Sequence, residues 1–329
     1  GVPPRGMWPG EGAVAEEVIP HFLASGVRWI ATGQEVGARS GHFYDPGMFY
    51  RVDADPDYLD GDNRDAMTIF FRTGHDYIGF DYGRYRWMGY GFAKDGTAAA
   101  DDFLGKVKYW RHASGVPDNL DVYYMNTADG ENVWQMFDQD GALFLNALYA
   151  SLQNSAFSSG YPLGIATLTP SEALDRVKID AQWELEPLSP GSWVGGTFST
   201  WAGEREENAA WALLKQVRQD LEKSGCPRPP VSEVFLPFET DRPLSASRCI
   251  QMAWEELYYA EGSDWWWWFG DDQNTPDGTD WCFDWWFRTH LANIYTFVDA
   301  AGYPMPWPEN GLLRINPKAP DITRRPSLK

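Results

Sequence analysis

Residues 12–32 read GAVAEEVIPHFLASGVRWIAT, and the way this stretch divides decides the fold. Val14, Val18 and Phe22 recur at i, i+4 and i+8 with Glu16 and Glu17 between them, the period of a helix with one apolar face. Gly26 supplies a stop. The period then changes: Val27 to Thr32 is a short apolar run, which reads as a buried strand. A helix over 12–25 tied by a tight link to a strand over 27–32 is half of an α/β unit.

The same alternation continues outward. Met67 to Arg72 (MTIFFR) reads as a second buried strand, after a loop-like stretch over 40–65 rich in Gly, Pro, Asp and Asn. Thr97 caps a helix to Trp110 with Ala100, Phe103, Leu104 and Val107 on one face. Asp121 to Thr127 reads as a strand ending at the turn Asp129-Gly130. Gly141 to Leu152 is a helix with Leu145, Leu148, Tyr149 and Leu152 in period. Leu163 to Leu168 is a strand, and Thr169-Pro170-Ser171-Glu172 starts a helix with Pro at its first position. Strands alternating with helices of this length predict parallel strands in an α/β layer or barrel.

After about residue 185 the pattern becomes helical. Helices are expected over 206–223 (stripe Ala210, Trp211, Leu214, Val217, Leu221, ended by Gly225), 245–259 and 281–300, with no strand. Prolines cluster at 227–230 and again in a basic-ended tail after 303. The division is thus 1–185, 186–302 and a Pro-rich tail 303–329, with no internal repeat.

Composition narrows the function. With 27 Lys and Arg against 47 Asp and Glu, the net charge of −20 is the wrong sign for gripping nucleic acid or an anionic membrane. No apolar stretch approaches the ~20 residues of a membrane span. Cys226, Cys249 and Cys282 match neither a disulfide framework nor a zinc pattern and read as buried thiols. The chain opens Gly-Val-Pro-Pro without an initiator Met or a signal-peptide pattern, so it reads as processed or as a piece of a longer protein, and its compartment stays open.

Eighteen Trp and 16 Tyr are the unusual counts. Flat apolar faces with a polar edge suit both stacking on sugar rings and an aromatic-rich core, and composition does not choose between them. Cleaving a glycosidic bond needs two facing carboxylates, which α/β barrels place at the C-terminal ends of strands. Glu11 lies just before a helix and Asp129 just past a strand. Each also has a local reason to be there: the helix dipole favours a Glu at that end, and Asp-Gly is a common turn pair. Glu261-Gly-Ser-Asp264 precedes four tryptophans, which cannot all be buried on one helix face.

In chain order, Gly6-Met-Trp-Pro-Gly-Glu11-Gly, Trp29-Ile-Ala-Thr, Phe70-Phe-Arg72 with Ile78-Gly-Phe80, Asp129-Gly-Glu-Asn-Val-Trp134, Gly191-Ser-Trp193 and Glu261-Gly-Ser-Asp-Trp265 together resemble glycoside hydrolase family 57 in its amylopullulanase-like branch. The resemblance implies a partial (β/α)7-type barrel followed by an α-helical region. It implies a retaining enzyme acting on α-glucans, with Glu11 as nucleophile and Asp129 as general acid/base. Trp8, Trp134, Trp193 and Trp265 become candidate sugar platforms, and Asp264 a residue holding substrate hydroxyls. Arg72, His75 and Glu131 are candidates near the cleavage point, and each also reads as an ordinary polar residue.

The chain departs from the family pattern in lacking the His-Gln-Pro motif and the segment after it. The first half of the barrel is then expected from a second polypeptide or a lost segment; the alternative is a non-catalytic carbohydrate-binding or structural component. Hydrolysis and 4-α-glucanotransferase or branching activity remain alternatives on the same residues. The Asp-Glu usual after Trp-Ile-Ala-Thr is replaced by Gly33-Gln34-Glu35. No cofactor is expected. The acidic loop at Asp271, Asp272 and Asp277 reads as a solvated loop or as a calcium site.

Overall fold

The computed structural model describes residues 3–45, 47–53, 66–73, 96–113, 116, 122–127, 138–157, 165–177, 181–234 and 244–327. The chain forms two compact units, Gly1–Thr197 and Phe198–Lys329. Their junction falls some twelve residues after the change of sequence pattern at about 185.

The first unit is built on a five-stranded mixed sheet. In chain order its strands are β1 (Gly6–Met7), β2 (Trp29–Gly33), β3 (Tyr50–Asp53), β4 (Ala66–Arg72) and β5 (Trp183–Glu184). They lie side by side as β1-β2-β4-β3-β5. β1, β2 and β4 run parallel, with Ile30 opposite Ile69, whereas β3 is antiparallel to β4. Every residue of β4 is buried, as befits the central strand. Its Met67, Ile69 and Phe71 join Ile30, Tyr50 and Val52 in one apolar cluster, with Ile19 and Val36 from helices α1 (Ile19–Ala24) and α2 (Gln34–Arg39). Phe70 joins Ala31 and Phe49 on the other face.

Helices α3 (Gly96–Ala113) and α4 (Ala142–Phe157) pack on each other through Ala100, Phe103, Leu104 and Val107 against Phe144 and Leu148. Tyr149, placed in the apolar stripe by its spacing, is exposed instead, and Phe144 takes the core position. Helix α5 (Pro170–Arg176) starts as its sequence predicts. Thr169 Oγ1 accepts from the Glu172 N–H, the Glu172 carboxylate accepts from the Thr169 N–H, and Pro170 sits at the entry. Ala173 of this helix is buried on the Phe70 face, so helices cover both faces of the sheet.

Four expectations in this unit are corrected. The helix over 12–25 is interrupted: Glu11 and Gly12 have positive φ, and Val14 exchanges both backbone hydrogen bonds with Gly191, at 2.9 and 3.0 Å. A residue paired that way has no N–H left for a helix; a 3-10 turn follows over Glu16–Val18, and the α-helix begins only at Ile19, with Pro20 in its first turn. The strand expected over 121–127 is, in its described part, extended but forms no ladder. The Thr73 N–H donates to Met125 O at 2.8 Å, yet the returning Met125 N–H is taken by the Thr73 hydroxyl at 2.7 Å rather than by a carbonyl. Of the strand over 163–168, the described residues 165–168 are irregular; Ile165 packs against the α3–α4 cluster and the three after it are exposed. The loop read over 40–65 contains β3, whose alternating burial shows the strand period within surroundings rich in turn residues.

The second unit is helical: α6 (Arg205–Lys223), α7 (Ala246–Ala260), the short α8 (Asp264–Trp268) and α9 (Trp281–Ala300). Ala210, Leu214, Val217 and Leu221 are buried as the stripe predicts; Trp211 is partly exposed, stacked on Trp266 at 3.9 Å. Among the described residues of this unit the one β-type pairing is the bridge Leu312–Ile322. The stretch after 303 is folded against α9, not loose. Fully buried Arg288 pairs with buried Asp284 and donates to Leu312 O and Pro320 O, while Asp284 accepts the backbone N–H groups of Ile315 and Asn316. Cys226 and Cys249 are buried, and all three cysteines are free thiols. Among the described residues no helix is long and apolar enough to cross a membrane.

Candidate functional site

The C-terminal ends of the three parallel strands converge on Glu11. β1 ends at Met7 and leads through Trp8 and Pro9 into a tight 3-10 turn holding Glu11; β2 ends at Gly33; β4 ends at Arg72. In sheets of this kind the crevice beyond the carboxyl ends of the strands is where ligands bind, because loops diverge there.

Glu11 sits in the left-handed region, φ 54° and ψ 24°. A residue other than Gly pays for that backbone with strain, and strained residues persist where their surroundings over-determine them. The surroundings here are specific. The Thr32 hydroxyl, at the end of β2, donates to Gly12 O at 2.5 Å. The Trp193 backbone N–H donates to Glu11 O at 3.1 Å, and the Trp193 indole N–H donates to Glu11 Oε2 at 2.8 Å. The carboxylate is therefore aimed by a residue 182 positions further along the chain.

Trp193 is itself fixed. Its loop closes where the Ser192 hydroxyl donates to Thr197 O at 2.9 Å and the Ser192 N–H to the same oxygen at 3.1 Å. The Arg72 guanidinium lies 4.7 Å from the centre of its ring, a cation–π contact, and Trp8 meets it edge-on at 6.3 Å. Arg72 is only 4% exposed, so its charge is held at the strand end and not in bulk water. Trp8, Glu11 and Trp193 are each half-buried, keeping one side toward solvent. Nearby, burial raises the Tyr124 hydroxyl pKa well above its ordinary value, and the charge of Arg72 partly opposes that.

Gly33 makes this packing possible. A Cβ there would lie 2.7 Å from Trp193 Cα and 2.8 Å from Glu35 Oε2, so a side chain at 33 would push the Trp193 loop off Glu11. The substitution Gly33-Gln34-Glu35 is thus the signal for a close approach that reading the sequence alone does not reveal. The role of Thr32 is not visible in the sequence for the same reason: its partner, Gly12 O, is set by the fold.

Of the residues singled out from sequence, Glu11, Trp8, Trp193 and Arg72 come together. Trp193 emerges as a support of Glu11 as well as an aromatic surface. Asp264 and Trp265 belong to the second unit. Asp264 is exposed at the start of α8, and the Trp265 indole donates to Tyr259 O at 2.9 Å with its ring against Phe287 and His290. Of the four tryptophans in that run only Trp266 is buried; Trp267 packs on Trp201 and Trp268 stacks on Phe283. His75, Asp129, Glu131 and Trp134 lie outside the described residues.

The family model for glycosyl hydrolase family 57 matches residues 1–184, more than half of the chain, and the chain belongs to that family. Membership points to glycoside hydrolase activity and to a (β/α)7 barrel fold. Trp8, Glu11 and Arg72 fall inside the matched span, and Trp193 lies nine residues beyond it. No curated protein matches the chain.

Proposed function

We propose that this chain is a retaining hydrolase of α-glucans, of the amylopullulanase-like branch, in which Glu11 is the nucleophile and Asp129 the general acid/base. The supporting observation is the placement of Glu11: a carboxylate at the C-terminal edge of parallel strands, on a strained backbone, aimed by the indole N–H of Trp193. On this reading the five-stranded sheet is part of a (β/α)7-type barrel whose first half comes from a second polypeptide.

The reaction then runs in two displacements. A Glu11 carboxylate oxygen attacks the anomeric carbon as the glycosidic C–O bond breaks, and Asp129 gives its proton to the departing oxygen. The product is a glycosyl ester on Glu11. Asp129, now a carboxylate, takes a proton from water, whose oxygen attacks the anomeric carbon and releases Glu11. Two inversions retain the configuration, and the mechanism requires the two carboxyl groups about 5–5.5 Å apart. Trp193 orients the nucleophile so that no carboxylate rotation is needed at the moment of attack. Trp8 offers a ring face for a sugar, with Trp134 and Trp265 as further platforms. Arg72, His75, Glu131 and Asp264 hold substrate hydroxyls. No cofactor takes part.

Incubation with maltooligosaccharides and pullulan, followed by proton NMR of the newly released anomer, tests the proposal. The α-anomer is expected first, and Glu11→Gln and Asp129→Asn should each abolish turnover. Glucan binding without turnover in the unaltered protein would instead establish a non-catalytic binding component. A first-formed β-anomer would refute the retaining mechanism.

A further inference from the structure

We propose that the second unit carries a calcium site formed by Glu204, Glu207 and Asp272. Glu204 immediately precedes α6, Glu207 lies in the first turn of α6, and Asp272 is on the loop between α8 and α9. Each offers a carboxylate oxygen, and these oxygens lie within 4.8 Å of one another.

Three carboxylates gathered at a helix start are not in themselves a site, since the helix dipole and solvent can account for them. Glu207 is what distinguishes this cluster. Its side chain is fully buried, and its two oxygens are treated unequally. Oε2 accepts the Glu204 N–H at 3.0 Å, but Oε1 is sealed from solvent and has no hydrogen-bond partner. A buried carboxylate oxygen without a donor is costly, and the usual resolution is a bound ion or water. Among the described residues, no Lys, Arg or His pairs with any of the three acids.

The backbone around the cluster is shaped to leave room. Gly270 has φ +90°, and a Cβ there would stand 2.2 Å from Glu204 Oε2 and 3.5 Å from Glu207 Oε1. Glycine alone lets the chain pass that close, and the unpartnered Oε1 and Glu204 Oε2 both lie beside the same glycine. The Asp271 N–H donates to Glu204 Oε2 at 2.5 Å, which fixes the loop that brings in Asp272.

The ligand chemistry selects the ion. An all-oxygen set of three carboxylates suits a hard cation, with waters or carbonyls completing the shell. Oxygens within 4.8 Å of one another can all be reached by calcium–oxygen bonds of about 2.3–2.6 Å, and calcium's flexible geometry suits a site whose remaining ligands come from waters or carbonyls. The set also differs from the one suggested by the acidic loop alone. Asp277 is occupied in its own turn, accepting both the N–H and the hydroxyl of Thr279, and only Asp272 is common to both.

The test uses the full chain stripped with chelator and titrated with calcium by calorimetry, and with terbium by luminescence excited through tryptophan. Trp266, whose indole donates to Glu207 O at 3.4 Å, is the expected sensitiser. One calcium per chain should bind, terbium emission should appear and be displaced by calcium, and Glu207→Gln and Asp272→Asn should each weaken binding about tenfold or more, as loss of one ligand charge does. Asp272 is exposed, so its variant separates ligand loss from misfolding. The proposal is overturned if the unaltered chain shows no saturable calcium binding up to about 1 mM, the weak end of protein calcium sites. It is equally overturned if Asp272→Asn binds calcium as the unaltered chain does.

Discussion

Replacing Trp193 with Phe separates two roles that the sequence merged. As a sugar platform, Trp193 would act on substrate affinity. As the support of Glu11, it would act on the nucleophile. Phe keeps an aromatic ring facing Arg72 and Trp8 but deletes the indole N–H that reaches Glu11 Oε2 at 2.8 Å. A hydrogen bond to a charged group contributes about 1.5–3 kcal/mol. Trp193 and Glu11 are both half-buried, so water replaces part of what is lost and the lower figure applies. About 1.5 kcal/mol corresponds to roughly a tenfold loss of kcat. KM should change by less than about twofold, since the deleted group faces the nucleophile and not the sugar. Steady-state kinetics on an aryl maltooligosaccharide, with a melting curve to show that the fold survives, supplies both numbers. A rise in KM at constant kcat would refute the positioning role and restore the platform reading.

The other variants probe what surrounds the site and the second unit. Gly33→Ala places a methyl 2.7 Å from Trp193 Cα, so the loop must shift. A cost of about 1–3 kcal/mol in stability is expected from such overpacking, with kcat falling further than in Trp193→Phe. Arg288→Ala leaves Asp284 as a fully buried charge and removes donors from Leu312 O and Pro320 O. Urea titration should show a loss of about 3–5 kcal/mol, and proteolysis should first attack residues 303–327. The buried Tyr295 hydroxyl donates to Asp220 Oδ2 at 2.8 Å, and burial with that carboxylate raises its pKa above 10.0. A raised acid stabilises the fold below its unfolded pKa and loses that contribution as pH rises, so stability should decline above about pH 10. Tyr295→Phe should cost about 1 kcal/mol at pH 8 and flatten that decline; an unchanged alkaline limb would count against it.

The elements that were legible are those whose own residues carry the whole signal. α9 runs over Trp281–Ala300, where the sequence period placed it, because twenty residues of apolar spacing leave little ambiguity. β2 and β4 were equally plain, being apolar runs too short for helices. β3 was hidden because Tyr50-Arg-Val-Asp53 offers only two alternations amid Gly, Pro and Asp, and an antiparallel partner does not advertise itself locally. The helix read over 12–25 fails through a contact no window can contain, the pairing of Val14 with Gly191. The site follows the same rule. Glu11 and Arg72 stood out by type and position, whereas the function of Trp193 depends on a hydrogen bond across 182 residues. Glu207 gave no signal at all, since its importance lies in what its buried oxygen lacks.

Glu11 also shows how the fold and the chemistry compete at one residue. Gly10 and Gly12 flank it, yet the left-handed conformation is not confined to glycine: Gly12 adopts it at φ 56°, and so does Glu11 at φ 54°. A side chain in that region costs roughly 1–2 kcal/mol that glycine does not incur. The turn's own bonds, Gly12 N–H to Pro9 O and Ala13 N–H to Gly10 O, are joined by ties from outside it that sustain the cost: Thr32 to Gly12 O, Val14 to Gly191, and the Trp193 backbone to Glu11 O. Two variants that both lack the carboxylate isolate this term. Glu11→Ala and Glu11→Gly lose the Trp193 indole contact equally, and they differ in the strain and in the greater freedom of glycine in the unfolded chain, worth about 0.5–1 kcal/mol in the opposite direction. Glu11→Gly should therefore be the more stable of the two by about 0.5–1 kcal/mol in chemical denaturation, with both inactive. If Glu11→Ala is the more stable of the two by about 0.5–1 kcal/mol, the unfolded-state freedom of glycine accounts for the whole difference and the turn carries no strain.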